Sequence, residues 1–284
     1  MSTGVRVAGF VALLAALFAV AVVAGREIDP ETSPRADGAT AGHEAAGEHA
    51  RHGAPAGPAA GVSSSQDGLR LDTQDSRLPA RRPSHFAFRI VDDRNHVVRD
   101  FQPEQGRRMH LIVVRRDLRH FQHLHPVQDA SGGWSTPLRL PAPGVYRAYA
   151  DFRSASTRMT LGIGVIAPGS FARQALPSPK ATSTVDGYDV ELREGKTGAL
   201  QFTVSRDGTE VAGLQRHLGA RGHLVVLRAR DLAYEHVHPL GAASGSGRIA
   251  FSSATTEPGS YRLFLQFRHR DRVHTAAFTR EVTP

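Results

Sequence analysis

Six of the fifteen histidines in this chain fall inside one phrase that is written twice. Residues 109–126 read MHLIVVRRDLRHFQHLHP, and residues 222–239 read GHLVVLRARDLAYEHVHP. The two align without a gap, so His110 falls on His223, His123 on His236, His125 on His238 and Pro126 on Pro239. Neutral imidazole suits zinc and copper. Three imidazoles can hold an ion at about 2.0–2.1 Å and leave one coordination position open. The residue types therefore point to a copper or zinc centre at His110, His123 and His125, and a second at His223, His236 and His238. His274, on the last apolar run, would be a fourth ligand in the second copy. Met159 is its counterpart in the first copy and Met109 adjoins His110, which would make a softer site suited to Cu(I). Asp151 is the late carboxylate of the first copy, and Gln266 replaces it in the second.

Whether the histidines converge depends on strand register. Side chains alternate along a strand, so His123 and His125 share a face. If 108–115 and 120–127 pair as an antiparallel hairpin, His110 joins them when it lies opposite either His123 or His125. Opposed residues then have Cβ atoms about 4.5–5.5 Å apart. A one-residue slip turns His110 to the other face. The competing structural account has these histidines half-buried beside Phe121 and Tyr234, bonded to one another, to backbone or to water. His-x-His-Pro is then a folding signature.

The match resumes at Pro143-Gly144-Val145-Tyr146-Arg147, which falls on Pro258-Gly259-Ser260-Tyr261-Arg262. The duplication therefore covers whole domains. From Ser84 onward, short runs rich in Val, Phe, Tyr, Leu and Ile are broken by turn residues about every 8–12 positions, the signature of a β-sandwich. Asp207-Gly208 between apolar flanks signals a two-residue hairpin. Pro-Gly-x-Tyr makes a turn whose tyrosine enters the core with its hydroxyl free to bond backbone, as in immunoglobulin-like sandwiches. The expected fold class is all-β, with two tandem immunoglobulin-like β-sandwich domains behind an N-terminal membrane helix and a disordered tether. The expected boundaries are 1–25 for the signal segment, 26–80 for the tether, 81–168 for the first sandwich, 169–181 for a linker and 182–284 for the second sandwich.

Ala8–Gly25 is an unbroken apolar run preceded by Arg6 and followed by Arg26, Glu27 and Asp29. Its charge asymmetry predicts a cytoplasmic N-terminus and an external C-terminus. It reads as an uncleaved signal-anchor or as a signal peptide cleaved near Ala24. The expected location is the cell membrane, crossed once through residues 8–25, or the secreted fraction after cleavage. Residues 26–80, rich in Ala, Gly, Ser, Pro and charge, lack an apolar period. They carry His43, His49 and His52, which read as incidental linker histidines or as a loose metal collector.

The 284-residue chain has no cysteine, which excludes disulfides, thiolate zinc sites and cysteine nucleophiles. The net charge of +8 is almost all arginine, with lysine only at Lys180 and Lys196. The arginines are scattered among apolar residues without a nucleic-acid-binding pattern, so an anionic envelope surface suits them better than nucleic acid. No G-x-S-x-G, H-E-x-x-H or phosphate loop is present, and no small-molecule substrate is evident. The chain is not expected to be an enzyme.

The pattern H-L-x-V-x-x-x-x-L-x-x-F-x-H-x-H-P, followed by P-G-x-Y-R and an F-R strand, resembles exported bacterial proteins with YtkA-like, immunoglobulin-like domains, over roughly residues 81–283. The second copy, through YRLFLQFRHRDRVHTAAF, is similar to an actinobacterial subgroup. The resemblance implies an extracytoplasmic β-sandwich and a link to envelope metal handling, often of copper, and it does not imply a catalytic activity. The Asp-Leu pair slips by one between copies, so Leu118 faces Asp231, and Glu235 stands where an apolar residue is usual. The functional expectation is an extracytoplasmic metal-binding accessory protein, with copper or zinc as cofactor. The alternative is a non-catalytic immunoglobulin-like interaction or structural module with an envelope protein partner.

Overall fold

A strand with one face in water alternates apolar and polar residues, whereas a strand covered on both faces reads as a continuous apolar run. HLIVVR and HLVVLR are runs of the second kind, and the architecture shows what covers each face. A computed structural model describes residues 59–195, 198–240, 246–252 and 257–283. The apolar run 8–25 and His43, His49 and His52 lie outside the described residues. Among the described residues there is no helix, and hence none long and apolar enough to cross a membrane.

The first sandwich has a five-stranded sheet in the order β1 (Ser65–Gln66), β2 (Leu69–Asp72), β3 (Pro83–Asp92), β7 (Trp134–Arg139), β6 (Val127–Gln128). It packs on a four-stranded sheet in the order β5 (Gln122–Leu124), β4 (His110–Arg115), β8 (Gly144–Ser154), β9 (Thr157–Ala167). The second sandwich repeats this plan. One sheet runs β10 (Thr182–Val185), β11 (Tyr188–Glu194), β12 (Leu200–Arg206), β17 (Arg248–Ser252), β16 (His238–Leu240), with β13 (Thr209–Glu210) beside β12. The other runs β15 (Tyr234–Glu235), β14 (Gly222–Arg228), β18 (Gly259–His269), β19 (Arg272–Val282). All strand pairings within these sheets are antiparallel. In each copy the late tyrosine closes its corner as expected. The Tyr146 hydroxyl donates to the Ala142 carbonyl (2.8 Å), and that of Tyr261 to the Glu257 carbonyl (2.9 Å).

Each sandwich has its own core, with Phe86, Leu111, Val113 and Tyr146 in the first and Phe202, Leu224, Val226 and Tyr261 in the second. The opposite faces of β4 and β14 meet in a third apolar cluster, which joins Ile112, Val114 and Tyr149 to Val225, Leu227 and Phe264. This is why β4 and β14 are buried along their whole length. The two sandwiches cluster as one unit through this seam.

The seam has a pseudo-two-fold character. Phe121 stacks on Phe264 with centroids 4.2 Å apart, and their counterparts Tyr234 and Tyr149 meet at 5.9 Å. His123 meets Gln266, while the counterparts His236 and Asp151 also meet. His110 and His223, equivalent to each other, lie face to face near the middle, with ring planes 8° apart. Duplicated domains have here built between themselves the self-complementary interface that a two-fold dimer would use.

Three expectations need correction. The tether does not extend to residue 80, because β1 and β2 belong to the first sandwich and Leu71 and Leu78 are core residues. Residues 59–63 also act as a strap between domains. The Ala60 carbonyl accepts from the Tyr234 amide (2.8 Å), and Arg147 donates to the carbonyls of Gly61 and Val62 (2.6 Å each). The run 96–101, one of the short apolar runs after Ser84 that the sequence pattern predicts as strands, forms only an isolated bridge at Val97. The run 120–127 splits between sheets, since β5 ends at Leu124 and β6 begins after Pro126, which has no amide to continue a ladder. His-x-His-Pro is therefore the corner where the first copy changes sheets, and in the second copy His236 and Val237 make that change, with His238 and Pro239 already in β16.

The strap crosses β9 where a side chain would block it. A Cβ on Gly162 would stand 2.0 Å from the Gly61 carbonyl oxygen. Gly162→Ala is expected to cost about 1–3 kcal/mol by displacing the strap, a typical overpacking loss. Urea unfolding of the variant against the parent measures it.

Candidate functional site

The hairpin of β4 and β5 pairs Leu111 with Leu124, Ile112 with His123 and Val113 with Gln122. Continued by one residue, this register sets His110 level with His125, one of the two arrangements that place all three histidines on one face. The one-residue slip of Asp-Leu does not disturb it. The first turn holds two left-handed residues, Leu118 (φ 59°) and His120 (φ 57°), where the second holds Leu232 alone (φ 64°). The first loop closes one residue sooner, with the Arg115 amide on the Arg119 carbonyl where the Arg228 amide reaches Ala233, and His120 takes up the difference as a bulge. Both turns are closed by a bidentate pair, Arg115 with Asp117 and Arg228 with Asp231, with shortest contacts of 2.8 Å.

His110, His123 and His125 converge. Each offers a ring nitrogen within 4.8 Å of the others, and this is the group of metal-ligating type found among the described residues. His110 Nδ1 lies 3.0 Å from His123 Nε2. The rings of His125 and His123 are 4.8 Å apart, and those of His125 and His110 are 5.2 Å apart. His110 is 3% exposed, and the other two are half-buried.

The second copy does not reproduce this cluster, although Val226 pairs with Glu235 and Leu227 with Tyr234 in the equivalent register. β15 ends at Glu235, and His238 has already joined β16 in the other sheet, where it is exposed. His236 turns across the seam to Asp151 Oδ1 (3.3 Å) and Thr160 Oγ1 (3.0 Å). Asp151 is also held by Arg158 (2.8 Å) and by the Thr160 hydroxyl (2.8 Å), so both its oxygens are already engaged. Its carboxyl lies well below the usual range, because His236 and Arg158 outweigh the effect of burial. His274 is not a fourth ligand. His223 pairs with Gln266 and Gln266 with Thr275, so His274 points to the opposite face, where its Nδ1 meets Asp186 at 2.7 Å. Met109 and Met159 face the first core for the same reason of parity, which removes the softer copper site.

His223 joins the first cluster instead. Its ring lies 4.6 Å from that of His123 and 5.7 Å from that of His110. Burial is the main cause of depressed basicity throughout. The His125 pKa falls to about 4 and that of His223 to about 3, while those of His110 and His123 are also lowered. For His123 the neighbouring imidazoles of His223 and His110 add to the effect.

The partners fix the tautomers. A carbonyl oxygen only accepts, so His110 Nε2–H donates to the Glu104 carbonyl (3.0 Å) and its Nδ1 carries a lone pair. His123 Nδ1–H donates to Gln266 Oε1 (2.7 Å), since the amide nitrogen of Gln266 is turned to Thr275 Oγ1, and His123 Nε2 carries a lone pair. His223 Nδ1–H donates likewise to Gln105 Oε1 (2.7 Å). The residues that hold the rings, Gln266, Gln105 and the Glu104 carbonyl, are absent from the sequence motif. A signal for them existed, because Glu104-Gln105-Gly106 aligns with His217-Leu218-Gly219 just upstream of the doubled phrase. Gln105 (φ 49°) and Leu218 (φ 53°) share the same left-handed turn.

Against known proteins, the model of a domain of unknown function, DUF8832, matches residues 64–168 and again 183–284. No curated protein matches the sequence. Among solved structures, Salmonella alpha-2-macroglobulin reacted with methylamine is similar over 80% of this chain, at 13% identity and a TM-score of 0.28. The match spans only 15% of that protein's length. The titin A168–A169 tandem is similar over 75% of this chain and 99% of its own, at 7% identity and a TM-score of 0.20. Bovine butyrophilin is similar over 77% of this chain and 100% of its own, at 9% identity and a TM-score of 0.22.

Proposed function

We propose that this chain, which belongs to the family of the domain of unknown function DUF8832 and carries that domain twice, is a non-catalytic immunoglobulin-like module of the cell envelope. Within it, His110, His123 and His125 hold one zinc or copper ion. The module reading is supported by the duplicated all-β architecture and the welded seam. The sequence of residues 8–25 supports an extracytoplasmic placement, as does the resemblance to exported YtkA-like proteins.

One observation carries the metal reading. With the tautomers set by their partners, His110 Nδ1 and His123 Nε2 present lone pairs to each other across 3.0 Å, and no proton lies between them. His125 Nε2 is buried nearby without a hydrogen-bond partner. Facing lone pairs repel, and a buried ring nitrogen without a partner is costly. A cation among the three rings removes both penalties. A proton is the poorer candidate, because burial opposes imidazolium here. Each outer nitrogen of His110 and His123 bonded to a carbonyl oxygen is also the usual support for a metal-bound histidine.

Titration of the purified full-length chain with Zn²⁺ and Cu²⁺ should find one ion per chain at this site. Alanine at His123 or His125 should weaken binding at least tenfold, and alanine at His236 or His238 should leave it unchanged. Binding that is indifferent to His110, His123 and His125 would remove the metal reading and leave the interaction module alone.

A further inference from the structure

We propose that the ion's fourth ligand is His223, so that one ion is held by both domains rather than by the first alone. The inference rests on the metal reading and completes its ligand set. His223 is 5% exposed and comes from β14 of the second sandwich. Its Nδ1–H is committed to Gln105 of the first sandwich at 2.7 Å. The remaining nitrogen, Nε2, therefore carries the lone pair, and it is buried without a hydrogen-bond partner. Its ring centroid is nearer to that of His123 (4.6 Å) than the His125 centroid is (4.8 Å). In this arrangement His223 stands beside the triad rather than within the 4.8 Å group, so it turns inward when the ion arrives.

Several features favour this residue over a fourth water. The seam places His223 face to face with His110, with ring planes 8° apart, at the pseudo-two-fold centre. The site is reciprocal across the domains. The second domain's Gln266 orients the first domain's His123, and the first domain's Gln105 orients the second domain's His223. Four neutral imidazoles with no thiolate or thioether favour a borderline, tetrahedral divalent ion of the zinc class. Such a closed site is structural rather than catalytic, because it keeps no position for a substrate. Its consequence is that ion binding ties the two sandwiches together at their seam.

Co²⁺, whose visible absorption reports coordination number, is the probe, with Zn²⁺ competition giving affinity. In the full-length chain the Co²⁺ complex should show the intense bands of a tetrahedral site. His223→Gln should lower Zn²⁺ affinity at least tenfold and weaken those bands towards a higher-coordinate, water-bearing spectrum. Gln105→Leu leaves every ligand in place but frees the His223 ring, and should cost several-fold in affinity. Far-ultraviolet circular dichroism of the ion-free variants checks that each retains its sheets, and Gln105→Leu serves if His223→Gln does not fold. If both variants bind Zn²⁺ as the parent does and keep its Co²⁺ spectrum, the fourth-ligand proposal is overturned while the triad stands. If the parent binds neither ion, or binds both without tetrahedral bands, the proposal also falls. If in the first of these cases Cu²⁺ is not bound either, the metal reading falls with it.

Discussion

Deleting residues 1–80, the expected signal segment and tether together, should cost about half or more of the folding stability, whereas deleting residues 1–58 should cost little by comparison. The difference lies in the segment 59–80. It supplies β1, which pairs with β2, and β2, which pairs with β3, and it places Leu71 and Leu78 in the first core at 2% exposure each. Burying each leucine is worth about 1.5–3 kcal/mol. The segment also supplies the strap, whose Ala60 and Gly61 carbonyls bond Tyr234 and Arg147 on opposite sides of the seam. Its loss leaves the Tyr234 amide unpaired in a buried setting, at about 1–3 kcal/mol. Together these approach the 5–15 kcal/mol that separates folded from unfolded in ordinary domains. Urea denaturation of the two truncations decides it. Equal midpoints would mean that the strap and the two short strands contribute nothing.

That boundary was hard to read in the sequence for a physical reason. Two short strands at one side of the sheet, Ser65–Gln66 and Leu69–Asp72, contain two leucines in six residues, and the surrounding Gly, Ser and Asp look like linker. The duplicated phrase and the proline-glycine-tyrosine corners were far more legible. They gave the tandem β-sandwich plan, because turn chemistry and apolar alternation are local properties. The hairpin register was narrowed to two productive choices by parity alone, and the structure adopts the one that sets His110 level with His125.

The asymmetry between copies was not legible, because it is set across the seam. His123 meets a neutral amide, Gln266, and keeps its Nε2 beside His110. Its counterpart His236 meets a carboxylate, Asp151, and is drawn away from His223. Asp stands for Gln at the equivalent late-strand position, and the two outcomes go with that substitution. A repeat alignment shows that the substitution exists but not that the two positions face the other domain's histidines. The clue that both faces of β4 and β14 are covered lay in the unbroken runs LIVV and LVVL, which are too apolar for strands with one wet face.

The ion-free protein should lose stability steeply as pH falls from 7 to 5. The native seam keeps His125 neutral down to a pKa of about 4 and His223 down to about 3, with His123 and His110 lowered as well. In the unfolded chain the same imidazoles protonate near pH 6.5. Between those limits the unfolded state binds more protons than the native state, so protons favour unfolding and stability falls with falling pH. The contribution is intact above about pH 6.5 and is lost progressively down through the folded pKa values. At pH 5 each strongly depressed histidine costs about 2 kcal/mol, so His125 and His223 together remove about 4 kcal/mol, which is comparable to the whole stability of a modest domain. Replacing His223 by Gln, which cannot protonate, should flatten the slope by about one proton. Urea midpoints in chelator across pH 5–7, for the parent and for His223→Gln, measure both effects. The carboxylates do not produce this slope, because Asp151, with its carboxyl held low by Arg158 and His236, contributes its own loss only below about pH 4. A parent protein whose urea midpoint is flat from pH 7 to 5 would show that the four imidazoles are as free to protonate in the fold as outside it, and the dry, lone-pair-facing arrangement at the seam would not exist in solution.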